Sequence, residues 1–284
     1  MNLRPRGLLV PTMLVLGFVF LYLPILSMVL FSFNNSRLVT VWDAPNSPTF
    51  KWYVSLFQNR QLLDAAWLSI KIALVTATGA AVLGTFAGMV LSKFGRFKGR
   101  ALLSGMTTAP LVMPEVITGL SMLLLFVALE QLIGWPQGRG VTTIVIAHVT
   151  FAMSYVAVIV QSRLATFDET LEEAAMDLGA PPARVFRRIT LPLIFPAILS
   201  GWLMAFTLSW DDLVIAQFVA GPGSTTLPMV IFSKVRLGVS PDVNALASIM
   251  MALVATGVVV YSLLLRRRDR RLKREMQMAQ ADGP

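Results

Sequence analysis

The chain has 284 residues, 56% hydrophobic and 14% charged, with a formal net charge of +9 and no cysteine. A soluble domain carries about 25% charged residues, so apolar runs of this extent must face lipid. Intrinsic disorder, a coiled coil, a disulfide scaffold, thiolate metal sites and cysteine nucleophiles are all excluded.

A helix needs about 20 apolar residues to cross the hydrocarbon core, and six stretches qualify. The first, 8–33, is free of charge and too long for a signal-peptide core of about 7–15 residues. It reads as a retained anchor helix, softened at Pro24. The second, 65–91, carries Lys71 near its start and the Gly84-x-x-x-Gly88 step, which suits close helix packing. The third, 101–129, contains Pro110, Pro114 and a single charge, Glu115. Its prolines remove backbone hydrogen bonds, and either turn carbonyls towards a cavity or only kink the helix. The fourth, 141–161, holds the chain's single histidine, His148, which has no metal-ligand partners in sequence and reads as a satisfied interior residue, with a gating role the alternative. The fifth, 193–220, carries Asp211 and Asp212, and the sixth, 243–265, stops at Arg266-Arg267-Arg268.

Basic residues set the expected orientation. Arg4 and Arg6 precede the first stretch, and Lys93, Arg96, Lys98 and Arg100 follow the second. Arg163, Arg184, Arg187 and Arg188 follow the fourth, and seven basic residues crowd the tail between Arg266 and Arg274. The alternate loops hold only Arg37, Lys51, Arg60, Arg139, Lys234 and Arg236. The positive-inside rule then puts both termini and the two basic loops in the cytoplasm. The net charge is thereby a topology signal, and nucleic acid is not needed to explain it. The expected organisation is a cytoplasmic tail and anchor helix at 1–33, a periplasmic loop at 34–64, a five-helix core at 65–265 and a basic cytoplasmic tail at 266–284. No G-x-x-x-x-G-K-[ST] motif occurs, so ATP binding by the usual phosphate loop is not expected of this chain.

The most informative segment is the cytoplasmic loop 162–192. Asp168 or Thr170 is placed to cap a short helix whose first turn is acidic, with Glu172 and Glu173 suiting the positive end of the helix dipole. Ala174 and Ala175 keep one side slim, Asp177 follows, and Gly179 is a natural stop. Pro181-Pro182 then begin a second short helix that runs to Arg187-Arg188 and on to Ile189, Leu191 and Pro192. Two short helices at an angle, one with a slim surface, suit docking into a groove on a partner. An ordinary amphipathic loop helix accounts for the residue types equally well.

The full pattern, E-A-A, three residues, G, nine residues, I-x-L-P, is matched from Glu173 to Pro192. It resembles the coupling loop of the inner-membrane permease subunits of bacterial ABC importers, and the resemblance covers roughly residues 8–265. It implies an all-α membrane protein of type I, MetI-like architecture, with six spans and both termini in the cytoplasm of a bacterial inner membrane. It also implies a heterodimeric, homologous second permease, two cytoplasmic ATPase subunits that carry the ATP and magnesium, and a periplasmic binding protein. Two further segments, Ala109 to Gly119 and Ser209 to Ile215, with Gly221 to Pro228, are similar to polyamine-importer permeases, the putrescine type ahead of the spermidine type.

Carboxylates inside a bilayer are costly and mark a pathway or a partner. On one continuous third helix Glu115 would lie about 21 Å from Ala101, and Asp211 and Asp212 about 27 Å along the fifth. Polyamines are multiply charged cations, so Glu115, Asp211 and Asp212 are expected to line the outer pathway. The aspartates alternatively form salt bridges with Lys71, Lys234 or Arg236, or with the docked binding protein. Trp210 either stacks on an ammonium group or belongs to an outer aromatic belt with Trp67 and Trp135. No catalytic residue, metal site or cofactor in this chain is expected. A prenyltransferase of the D-D-x-x-D type would need an acid at position 215, which is Ile215. An ABC permease for a different, neutral solute is the remaining alternative, since an anion would be repelled by an acidic pathway.

Overall fold

The computed structural model describes residues 6–38, 41–238, 241–257, 259 and 262–263. The basic tail 266–284, the end of the sixth stretch and Arg4 lie outside the described residues. In chain order the helices are α1 (Arg6–Phe31), α2 (Lys51–Gln58), α3 (Arg60–Lys93), α4 (Arg100–Val112), α5 (Glu115–Ile133), α6 (Val141–Ala165), α7 (Thr170–Asp177) and α8 (Pro182–Val185). A π-helical turn (Phe186–Thr190) follows, then α9 (Leu191–Asp211), α10 (Val214–Val219), α11 (Leu227–Leu237) and α12 (Pro241–Gly257). Among the described residues no strand is present. Five helices are long and apolar enough to cross a membrane: α1, α3, α5, α6 and the continuous run Pro182–Asp211. The described part of the sixth stretch, α12, is a shorter apolar helix.

The chain divides into two compact units, Met1–Arg60 with Ser233–Pro284, and Gln61–Phe232. In the first, α1 runs unbroken through Pro11 and Pro24. The loop after it is organised by Asn34, whose amide donates to the Val41 carbonyl at 2.6 Å and whose backbone carbonyl accepts from Trp52 Nε1 at 2.6 Å. Ser32 and Tyr53 share a 2.6 Å hydrogen bond, and Phe33, Phe50 and Tyr53 cluster around it. Lys234 pairs with Asp242 at the start of α12.

In the second unit α6 is the most buried span and forms the axis of the packing. One face meets α3 and α9 through Ala77, Ala80, Ala152, Val156, Val160, Ile194 and Ala205. The other end meets α3, α5 and α10 through Ile72, Phe126, Ile144, Ala147, Phe151, Ile215 and Val219. Lipid tails are as apolar as leucine, so close van der Waals contact, rather than escape from water, favours this assembly. The small residues permit it. A β-carbon on Gly84 would stand 2.6 Å from both the Met153 carbonyl oxygen and Val156 Cβ, and one on Gly88 2.8 Å from the Ala157 carbonyl. The G-x-x-x-G step of α3 is therefore the groove into which α6 lies.

Two expected spans are broken. The third stretch is two helices, because Met113 and Pro114 are both extended, with ψ of 136° and 135°. Pro114 has no N–H to continue the helix and forces the preceding residue out of helical geometry. Its carbonyl then accepts from Ile117 N at 3.0 Å and Thr118 N at 3.1 Å, which starts α5. Pro110, by contrast, sits inside α4. The fifth stretch ends its long helix at Asp211. Asp212 is extended, with ψ of 125°, and α10 begins two residues later.

Candidate functional site: a coupling segment and a carboxylate turn at opposite ends of one helix

The segment between α6 and α9 forms as its residues dictate. Asp168 Oδ1 accepts from the Thr170 backbone N at 3.1 Å and the Thr170 hydroxyl at 2.7 Å, a local turn that leads into α7, whose N-cap residue Glu169 makes no side-chain cap bond. Glu172 and Glu173 occupy its first turn, where the helix dipole favours them. The helix ends at Gly179, whose φ of +81° is a left-handed conformation that costs other residues about 1–2 kcal/mol. There Gly179 N donates to the Met176 carbonyl at 2.9 Å and Ala180 N to that of Ala175 at 3.1 Å. Pro182 opens α8 after an extended Pro181. The expected second short helix then continues, through the π-helical turn, straight into α9 at Leu191 and Pro192. Ile189 is half-buried and Thr190 buried in that turn.

The two acids of α7 part company. Glu172 is half-buried and its carboxylate accepts from Lys93 Nζ, the last residue of α3, and from the Thr190 hydroxyl. Lys93 also lies over the Phe167 ring, 5.1 Å from its centroid. Burial pushes the Glu172 carboxyl up, but the two hydrogen bonds and the positive charge of Lys93 outweigh it and hold the group below its ordinary range. Glu173, Ala174 and Asp177 are exposed, Ala175 is half-buried, and Leu178 is 89% exposed beside exposed Leu171 and Met176. The segment thus presents an acidic and apolar surface outward, while Glu172 ties it to α3 and α9. Lys93 was not singled out from sequence. The available signal was a cation ending an apolar helix in the same basic loop system as an acidic helix start.

At the other end of α9, Ser209 and Asp212 flank Trp210 and Asp211. Ser209 Oγ is 2.8 Å from His148 Nδ1, and Asp212 Oδ2 is 3.1 Å from His148 Nε2. The His148 and Asp212 side chains are only 3% and 7% exposed. An ionised carboxylate can only accept, so Nε2–H donates to Asp212, and in the neutral ring Nδ1 then accepts the Ser209 hydroxyl proton. Asp212 further accepts from Ile215 N at 3.3 Å and Ala216 N at 2.7 Å, capping α10. Among the expected partners, Lys71 instead lies over the Trp67 ring at 5.3 Å and Lys234 pairs with Asp242. Asp211 is exposed. Trp210 is half-buried and stacks on Phe206, which stacks on Trp202, a ladder with ring centroids 6.1 and 5.7 Å apart. His148 is indeed satisfied, and its partners are two residues of the turn that carries the acids. A lone imidazole in an apolar span needs such partners, which is the signal that sequence offered.

Glu115 is neither mid-helix nor beside these aspartates in any hydrogen bond. It is the exposed first residue of α5, and its carboxylate has no hydrogen-bond or ion-pair partner among the described residues. A cavity of about 430 Å³ opens where the start of α3 meets the loop before α11, lined by Gln61, Asp64, Trp67, Lys71, Gly223 and Thr225. Among the described residues no group of three His, Asp or Glu side chains is placed to hold a metal ion.

Residues 80–274 match the family described as binding-protein-dependent transport system inner membrane component. The chain is 55% identical over 267 residues to the putrescine transport system permease protein PotI of Escherichia coli (strain K12), covering 94% of each chain. It is 39% identical over 249 residues to the spermidine/putrescine transport system permease protein PotC of the same organism, covering 88% of this chain and 90% of that one. Among solved structures, a chain of a bacterial ABC transporter that imports the acidic polysaccharide alginate matches with a TM-score of 0.69 at 18% identity, over 93% of this chain and 96% of that chain. The MetNI methionine ABC transporter, in inward-facing conformations, matches with a TM-score of 0.58 at 16% identity, over 72% and 94%. At these identities the structures speak for the fold alone.

Proposed function

The chain belongs to the family of binding-protein-dependent transport system inner membrane components, and within it we propose that it is the permease subunit of an ATP-driven importer of polyamines, putrescine first and spermidine next. The observation that carries this reading is the 55% identity to a putrescine permease over 94% of both chains. The carboxylates support it, since acids on a pathway lower the barrier for an ammonium group and raise it for an anion.

The subunit pairs with a homologous permease to enclose one pathway, and a periplasmic binding protein delivers the cation to the outer mouth. Two cytoplasmic ATPases bind ATP and magnesium, and the exposed face of α7 (Glu173, Ala174, Asp177, Leu178) docks on one of them. Closure of the ATPases moves α7. Because Glu172 holds both Lys93 and Thr190, the displacement passes to α3 and, through the π-helical turn, to α9. Asp211 and Trp210, at the far end of that same helix, meet the cation, and Glu115 at the start of α5 offers a second carboxylate. The orientation follows the basic loops, with α7 cytoplasmic and Asp211 towards the periplasm.

The test is ATP-dependent uptake of radiolabelled putrescine into proteoliposomes that hold this chain with its partner subunits. Competition by unlabelled spermidine and none by an uncharged sugar is expected. An assembled, ATP-hydrolysing complex that takes up no putrescine would overturn the cargo and leave the family membership standing.

A further inference from the structure

We infer that His148 is a positioning residue for Asp211, acting by holding the residues on either side of it. The inference rests on the proposed polyamine reading, in which Asp211 meets the cation. One imidazole bonds Ser209 through Nδ1 and Asp212 through Nε2, at 2.8 and 3.1 Å. These two partners bracket Trp210 and Asp211, so the ring spans the last turn of α9 from one side and fixes the direction in which the bracketed pair points. Asp212 also accepts from the backbone N–H groups of Ile215 and Ala216. Asp212 is thereby withdrawn into the protein, and Asp211 is left as the exposed carboxylate of the pair.

His148 itself is anchored on the rigid axis of the unit. Its neighbours on α6, Ile144, Ala147, Ala152 and Phe151, are buried, and Thr143 one turn earlier donates to the Val219 carbonyl at 2.7 Å, pinning the far end of α10 to the same helix. The α9–α10 break is therefore held to α6 at both of its sides. A group needed only for bulk in this place would be served by leucine or phenylalanine, and a buried imidazole carrying two polar contacts is costly unless both are made. Positioning of a binding carboxylate is a specific use for that arrangement. When a charge meets its cargo, a small change in the aim of the carboxylate weakens the encounter without touching the ATPase.

The test uses the complete complex in proteoliposomes, with uptake of putrescine measured against its concentration, ATP hydrolysis measured in parallel, and the variants His148→Leu, His148→Gln, Asp211→Asn and His148→Leu/Asp211→Asn. Loss of both contacts in His148→Leu is expected to raise the apparent KM by about tenfold while ATP hydrolysis persists. The amide of His148→Gln can still reach Asp212 and is expected to keep KM within about threefold of the parent. In the Asp211→Asn background His148→Leu should add little, because the group it aims is already gone. A KM unchanged in His148→Leu, or a full additional loss on top of Asp211→Asn, overturns the inference. If His148→Leu does not assemble, the inference stands or falls on His148→Gln against His148→Asn, whose shorter amide reaches only Ser209: equal KM values for the two overturn it. Absence of putrescine uptake by the unmodified complex is a different result, which sinks the cargo reading instead.

Discussion

Lys93 and Glu172 lie 79 residues apart in sequence and form an ion pair that joins the end of α3 to the first turn of α7. Thr190 shares the same carboxylate, so three elements that leave the membrane region at one end meet on one side chain. Helices of this length are too short to be stable alone, and this contact helps to give α7 a fixed position relative to α3 and α9.

Replacing either partner should uncouple rather than unfold. Both side chains are partly exposed, 22% and 17%, so the pair contributes about 1 kcal/mol or less to stability. For Lys93→Met and Glu172→Gln we expect normal amounts of membrane-inserted protein, retained ATP hydrolysis and uptake reduced by about tenfold. Uptake per ATP hydrolysed in proteoliposomes is the deciding ratio; an unchanged ratio would show that the contact transmits nothing.

The same contact sets an acid limit. The Glu172 carboxyl is held below its ordinary value, so the stabilisation of its charged form is complete above that value and is lost as pH falls through the lower, folded one. Thermal midpoints of the parent and of Glu172→Gln in detergent should therefore differ at neutral pH and converge only once the pH drops below the ordinary carboxylate range. Convergence already near neutral pH would contradict the assigned contact.

Leu178, at 89% exposure, is the most exposed apolar side chain of the segment between α6 and α9. A Leu178→Ser change touches no packed neighbour and should leave the stability of the isolated subunit within about 0.5 kcal/mol of the parent, yet weaken capture of the ATPase subunits. Gly179→Val attacks the same surface differently, forcing a β-branched residue into φ of +81° and re-aiming the chain after α7. Co-purification of the ATPase at unchanged membrane insertion is the measurement for both, and full recovery of the complex with either variant would remove α7 as the docking element.

Gly84→Leu tests the packing of the spans. Its side chain would have to displace Val156 and the Met153 carbonyl, both 2.6 Å from the first added carbon. Overpacking costs typically about 1–3 kcal/mol, more when backbone must move, so a clear drop in thermal midpoint and in yield of folded protein is expected. Gly17→Leu, where an added β-carbon meets nothing within 4 Å, is the control.

Glu115→Gln should lower putrescine uptake severalfold while leaving folding intact, because the carboxylate has no hydrogen-bond or ion-pair partner to lose among the described residues. Wild-type uptake kinetics in this variant would exclude Glu115 from the pathway.

What the sequence determined by itself was whatever is encoded within a few turns of chain. Apolar length located the five long apolar helices, because hydrocarbon thickness translates directly into residue count. Asp168 before Thr170, Gly179 after Asp177 and the paired prolines marked the ends of α7 and the start of α8, because local turns and breakers act on their own backbone. The spacing from Glu173 to Pro192 carried the family resemblance, and the G-x-x-x-G step foretold close helix packing, with α6 supplied as the partner by the structure. The breaks at Pro114 and Asp212 were less legible. Pro110 is absorbed inside α4 and Pro24 inside α1, whereas Pro114 ends a helix, so the residue type alone did not say which proline breaks. The tertiary structure alone decided which polar side chains face one another. It turned Glu172 inward to Lys93 and left Glu173 outside, and it withdrew Asp212 to His148 while exposing Asp211, one residue away. The physical reason is that a polar group removed from water is satisfied by whatever partner packing brings within hydrogen-bond reach, and for these residues the partner comes from another helix, 79 and 64 positions away.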